Sequence, residues 1–219
     1  MIDFDSLPVE PDKQMEYTKS IREKISEFDG IKGIAYSQNF ACDYRSSMVK
    51  ASVYNEYMEK SFSKQLTEGK WFEEADSSAD IPNVVVSGAI FNDIPVGSDI
   101  SITLYGNEKN NQKIQQTVHV IGKIGYPWYT ADYSNISDDV STSNFLVQSN
   151  QIIFDDTKQV YDLLNKHSSI SSLSFSYFVL YNNDCTAQQK ENIRDYFETV
   201  GSYASYDKIL QNTNNLIRD

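Results

Sequence analysis

Apolar residues recur at helical spacing near both ends of this chain and lose that spacing between about Trp71 and Ser143. Over residues 12–28, Tyr17, Ile21, Ile25 and Phe28 form one stripe, with Lys, Arg and Glu on the other faces. Gly30 supplies the stop, and "IKGIAYSQNF" then reads as a strand. The same grammar returns at the far end. Thr186 with Gln189 makes a capping box, Ile193, Tyr196, Phe197 and Val200 supply the stripe, Gly201 stops it, and "SYASYDKI" reads as a short strand. The strand feeding that second helix, "LSFSYFVLYNN", is apolar on both faces in its second half, as a strand covered by helices on one side would be. Two helix–Gly–strand units imply a split β-α-β layout with helices on one face of a mixed sheet.

"SSMVKASVY" and a helix over 55–66 fill out the first half of that body; "NFLVQSNQIIF" and a helix over 156–164 fill out the second. In the middle, short strands take over: "NVVVSGA", "DISITLYG" and "QTVHVIGKIG". Turn signals separate them at Ile81-Pro82-Asn83, Pro95-Val96-Gly97-Ser98-Asp99 and Gly106-Asn107, and "NEKNNQKIQQ" reads as an exposed hairpin. The expected fold class is α+β in two lobes. A discontinuous mixed-sheet lobe comprises residues 1–70 and 144–219, and a β-rich lobe, 71–143, is inserted into it.

A net charge of −12 with no Lys/Arg-rich stripe excludes nucleic acid as a partner and disfavours anionic lipid. No apolar run approaches the roughly 20 residues of a membrane span. The acidic start "MIDFDSLPVEPDKQ" lacks the basic and apolar regions of a signal peptide. Cys42 and Cys185 are far apart and outside any CxxC; they either pair in an oxidising compartment or remain as two core thiols.

Enzyme chemistry finds little support. His119, between two valines of a strand, and His167, in a polar loop, have no metal-ligand spacing, so a surface strand histidine and a loop histidine are expected. Glu73-Glu74-Asp76, Asp138-Asp139 and Asp155-Asp156 lack the spacing of a calcium loop and read as solvated turns. Ser87-Gly88 follows a valine run, but position 85 is Val where a nucleophile elbow requires Gly. There is no P-loop and no G-x-G-x-x-G, hence no cofactor is expected. The aromatic segment "GYPWYTADYS" is the candidate contact surface: Tyr126, Trp128, Tyr129 and Tyr133 either pack as a satellite core or face a sugar, peptide or protein.

Taken in order, Gly69-Lys70-Trp71-Phe72, Val84-Val85-Val86-Ser87, Gly97-Ser98-Asp99-Ile100 and Val120-Ile121-Gly122-Lys123-Ile124 resemble the extracytoplasmic core domain of MacB/FtsX-type ABC transporter permeases. The opening helix and "FDGIKGIAYS" resemble that family's first helix and strand; "IFNDIP" and the "YPWY" segment depart from its pattern. The resemblance implies a non-enzymatic, extracytoplasmic module between two transmembrane helices. It would couple ATP-driven conformational change (mechanotransmission) to export or sensing of a peptide or other substrate. The implied partners are an ATPase subunit reached through the membrane part, a second permease copy and a peptide or protein ligand. The polar lead before Asp12 and the tail "YDKILQNTNNLIRD" would be stalks entering the membrane, with Ile209, Leu210, Leu216 and Ile217 on one apolar side. The competing readings are a secreted or surface-tethered module gripping a sugar or peptide with the aromatic segment, and an acidic hydrolase.

Overall fold

The computed structural model describes residues 2–3, 14–62, 65–73, 80–105, 113–125, 150–167, 174–200 and 202–203. Contacts group the chain into two compact units. One comprises residues 1–36, 129–147 and 174–219, the other 37–128 and 148–173.

The first unit holds β1 (Ile2–Asp3), α1 (Gln14–Ser26), the beginning of β2 (Ile31–Tyr44), and, described below, β9, α4 and β10. β9 spans Ser174–Tyr181, α4 Ala187–Val200 and β10 Ser202–Tyr203. Its strands lie in the order β10-β1-β9-β2. β1 is antiparallel to both of its neighbours. With one helix after β1 and one after β9, this is the expected split β-α-β arrangement. The apolar stripes do what their spacing requires: Ile21 and Ile25 of α1 and Ile193 and Phe197 of α4 are buried. The rings of Phe28 and Tyr196 lie 5.5 Å apart. The Arg22 guanidinium sits 4.3 Å from the centre of the enclosed Tyr36 ring. The capping box forms as read, with the Gln189 N–H donating to Thr186 Oγ1 at 3.2 Å and the Thr186 N–H to Gln189 Oε1 at 2.8 Å.

The second unit contains the rest of β2 and β3 (Ser47–Tyr54), α2 (Glu56–Phe62), β4 (Leu66–Gly69), β5 (Asn83–Ser87), β6 (Asp99–Tyr105), β7 (Lys113–Ile124), β8 (Gln151–Asp155) and α3 (Lys158–His167). Its pairings close a ring. β2 pairs with β3, β3 with β8, β8 with β5, β5 with β7, β7 with β6, and β6 back with β2. The register puts one alternating set of side chains inside: Phe40, Cys42, Val49, Ala51, Val53, Ile152, Phe154, Val84, Val86, Ile100, Ile102, Leu104, Val118 and Val120. Every one of these is buried. A six-stranded barrel of this kind is filled by its own side chains, and closure removes the sheet edges that would otherwise seek partners.

Two elements depart from the sequence expectation. The helix expected over 55–66 ends at Phe62, and Leu66–Gly69 is instead a strand antiparallel to the end of β7. Here the backbone pairing offered by β7 overrides local helix propensity. The two glycines Gly69 and Gly122 are register partners in that contact. The two cysteines are both unpaired.

Candidate functional site

The candidate aromatic surface, Tyr126, Trp128, Tyr129 and Tyr133, lies outside the described residues, as do Glu74, Asp76, Asp138 and Asp139 and the tail after Tyr203. Glu73 is exposed and pairs with Lys70 at 3.0 Å. Trp71 is half-buried beside Phe72, its ring 6.3 Å away.

Within the second unit, three polar side chains stand abreast on adjacent strands. Asn83 of β5 and Asp99 of β6 are both register partners of His119 on β7. Their neighbours Val84, Ile100, Val118 and Val120 point into the barrel, so this row faces outward by strand alternation. His119 is thus the half-exposed strand histidine expected from its valine neighbours, but it is not alone. Its Nδ1 lies 2.6 Å from Asp99 Oδ1. With Asp80, Ile81 and Gly97 these residues line a shallow, open groove of about 420 Å³. Two carboxylates, an imidazole and a carboxamide suit hydrogen-bond donors. Among the described residues that line the groove there is no serine, threonine or cysteine.

A second polar cluster corrects the reading of Asp155-Asp156 as a solvated turn. Glu59 of α2 is only 8% exposed. Burial pushes its carboxyl up to about 8, reinforced by the nearby carboxylates of Asp155, at the end of β8, Glu56 and Asp156. Glu59 Oε1 is enclosed with no hydrogen-bond partner. Asp156 accepts a hydrogen bond from the Tyr161 hydroxyl. Sequence reasoning missed Glu59, because "NEYMEKSF" presents it as one of two glutamates on a polar helix face. The signal that exposes it is its proximity to Asp155, 96 positions further along the chain, and no local pattern carries that.

Elsewhere in the barrel wall a polar chain runs outside the apolar core. Ser52 Oγ donates to Asn39 Oδ1 at 2.6 Å, and Gln151 Nε2 donates to Ser52 Oγ at 2.7 Å. Among the described residues, no group of three or more His, Cys, Asp or Glu side chains is placed to hold a metal ion. The Cys42 thiol, sealed in the barrel, is pushed up to about 12 by burial, with Asp43 adding to the effect. That makes it a packing residue rather than a nucleophile.

No protein-family model matches the chain, and neither does any curated protein. Solved structures do. The periplasmic region of MacB from Actinobacillus actinomycetemcomitans is similar with a TM-score of 0.50 and 14% identity, covering 88% of this chain and 80% of that one. The extracellular domain of the noncanonical ABC-type transporter YknZ from Gram-positive bacteria gives 0.48 and 12%, covering 88% and 87%. At such identities the likeness is one of fold: the chain has the α+β fold of the MacB periplasmic region.

Proposed function

We propose that this chain is the extracytoplasmic domain of an ABC transporter permease, carried between two membrane-spanning helices. It works without catalysis of its own, coupling ATP-driven conformational change to export or sensing of a peptide or other substrate. The observation that carries the reading is the pairing of the first and last described strands. Ile2 and Tyr203 are register partners in antiparallel neighbours. Chain arriving at β1 and chain leaving β10 therefore pass the same end of one sheet, the geometry needed for a domain whose two connections return to one membrane surface. The MacB-like fold and the ordered motifs from Gly69 to Ile124 support the same reading.

Among the described residues no helix is long and apolar enough to cross a membrane. The spanning helices, the ATPase subunit and a second permease copy belong to the proposed assembly around this domain. In this assembly the rings of Tyr126, Trp128, Tyr129 and Tyr133 are the proposed contact surface for a peptide or protein. The test is to isolate the protein from solubilised membranes of its own cells and assay the eluate for ATP hydrolysis. Recovery in the membrane fraction with a co-purifying, nucleotide-dependent ATPase is expected. Recovery entirely in the cytosolic fraction with no ATPase would overturn the reading.

A further inference from the structure

Barrel closure covers its strands only along their paired lengths, and β7 outruns one of its neighbours. β6 accompanies it from Lys113 to His119, whereas β5 joins on the other side only at His119. Along an antiparallel strand the backbone N–H and C=O groups turn alternately to one side and the other. Val120 turns both of its groups to the β6 side. Its N–H donates to the Ser98 carbonyl at 2.9 Å, and its C=O accepts from the Gly97 N–H at 2.7 Å. His119 points the other way, and its N–H donates to the Pro82 carbonyl at 2.9 Å. By the same alternation Thr117 and Gln115 turn their backbone groups away from β6, ahead of the point where β5 begins. Among the described residues no backbone group meets them there, and the Thr117 carbonyl accepts only the side-chain amide of Gln116, at 2.7 Å. Gln115 and Thr117 are exposed, so this edge lies at the surface. An edge of this kind accepts an added strand.

Beside this edge lies the shallow groove over His119. Its two carboxylates are Asp80, ahead of β5, and Asp99, whose Oδ1 is 2.6 Å from His119 Nδ1. No lysine or arginine is among the described residues that line it. Thr117 and His119 project from the same face of β7, about 7 Å apart along the strand, so a long side chain on a strand laid against Thr117 reaches the groove. Gly97 leaves room for it, since a Cβ there would meet nothing within 4 Å. A groove this open does not enclose a free small molecule; it suits a side chain carried by a longer partner. We propose that the edge of β7 at Gln115–Thr117 binds an extended peptide by strand addition, with an arginine or lysine of the peptide set at Asp80 and Asp99. Charge decides the occupant. A second copy of this chain would bring the same two carboxylates and a further net charge of −12, whereas a basic peptide is attracted to both. The backbone edge supplies affinity that is indifferent to sequence, and the carboxylates select the basic residue. This inference does not rest on the permease reading and uses none of the aromatic segment.

Hydrogen exchange of the intact free protein gives the first reading. The amides of Gln115 and Thr117 should exchange faster than those of Gln116 and Val118, which face β6. Equal protection would show the edge already covered and overturn the proposal. A random library of short peptides selected on the immobilised intact protein should then enrich a basic residue flanked by Val, Ile or Thr. With a selected peptide at about ten times its Kd, exchange at Gln115 and Thr117 should slow by about tenfold. Asp80→Asn combined with Asp99→Asn, both at exposed positions, should weaken that peptide by about three- to tenfold, and so should replacing its basic residue by glutamine. Selection without a basic preference, unchanged exchange at Gln115 and Thr117, or equal binding to the double variant overturns the proposal. Should the double variant fail to fold, the glutamine peptide on the wild type decides: equal binding refutes the basic contact. Protection of these amides that grows with protein concentration in the absence of peptide would assign the edge to a second copy and overturn the peptide as occupant.

Discussion

The contact of β4 with β7 is built around glycine, and three single alanine substitutions separate why. A Cβ on Gly122 would lie 2.4 Å from the Lys70 carbonyl oxygen, a backbone atom with no rotamer to escape into. Relieving that clash means displacing β4 by close to an ångström and loosening the Lys70 N–H bond to the Ile121 carbonyl, now 3.0 Å. Overpacking costs about 1–3 kcal/mol and the weakened hydrogen bond about 1, so Gly122→Ala should cost about 2–4 kcal/mol. Gly97 has the opposite profile. Its φ of +88° is one that side chains avoid, yet a Cβ there would meet nothing within 4 Å. Gly97→Ala should cost only the backbone penalty, about 1–2 kcal/mol. Gly69 combines both burdens, with φ +76° and a Cβ 2.2 Å from the Ile121 carbonyl oxygen, and Gly69→Ala should be the most damaging of the three. Urea unfolding followed by Trp fluorescence gives the ranking from midpoints at constant slope. Gly122→Ala within about 0.5 kcal/mol of wild type, or less damaging than Gly97→Ala, would refute the steric argument.

Other substitutions test the two units independently. Phe154→Ala removes a fully buried ring packed 5.8 Å from Phe40 in the barrel and should cost about 3–5 kcal/mol in urea unfolding. Thr186→Ala deletes the capping hydroxyl of α4 and should cost about 1 kcal/mol, with hydrogen exchange quickening first at residues 187–190. At pH 8 a maleimide should add once to the native protein, at half-buried Cys185, and twice after denaturation. Rapid double labelling of the native state, read by mass spectrometry, would contradict a sealed Cys42.

What the sequence reveals here is whatever is local. The stripe from Tyr17 to Phe28 and the Thr186–Gln189 box are complete within a few turns, and both helices form close to where they are read. β5, β6 and the core of β7 are equally visible, because Val and Ile alternate or run together between turn residues. The beginning of β7 is not: Lys113 to Thr117 has one apolar residue, Ile114, and none of the five is buried, so only a weak alternating signal marks it. β4 is four residues of "LTEG" that become a strand only through β7. Barrel closure rests on Cys42 meeting Leu104, a pairing across 62 residues with no mark in either segment. The first of the four divisions between the units falls between Tyr36 and Ser37, inside a continuous strand where composition does not change. The outward row of Asn83, His119 and Asp99 follows from register alone, which one-dimensional patterns do not specify.

The central claim, that this domain works outside the cytoplasmic membrane, is tested most directly by topology labelling of the whole protein in intact cells. Cys185→Ser removes the half-buried thiol, and Thr117→Cys places a new one on the exposed face of β7, leaving Cys42 as a sealed internal control. A membrane-impermeant maleimide should label the introduced thiol fully in unbroken cells, with no further gain on lysis. Labelling that appears only after the cells are opened would put the domain on the cytoplasmic side and contradict the account.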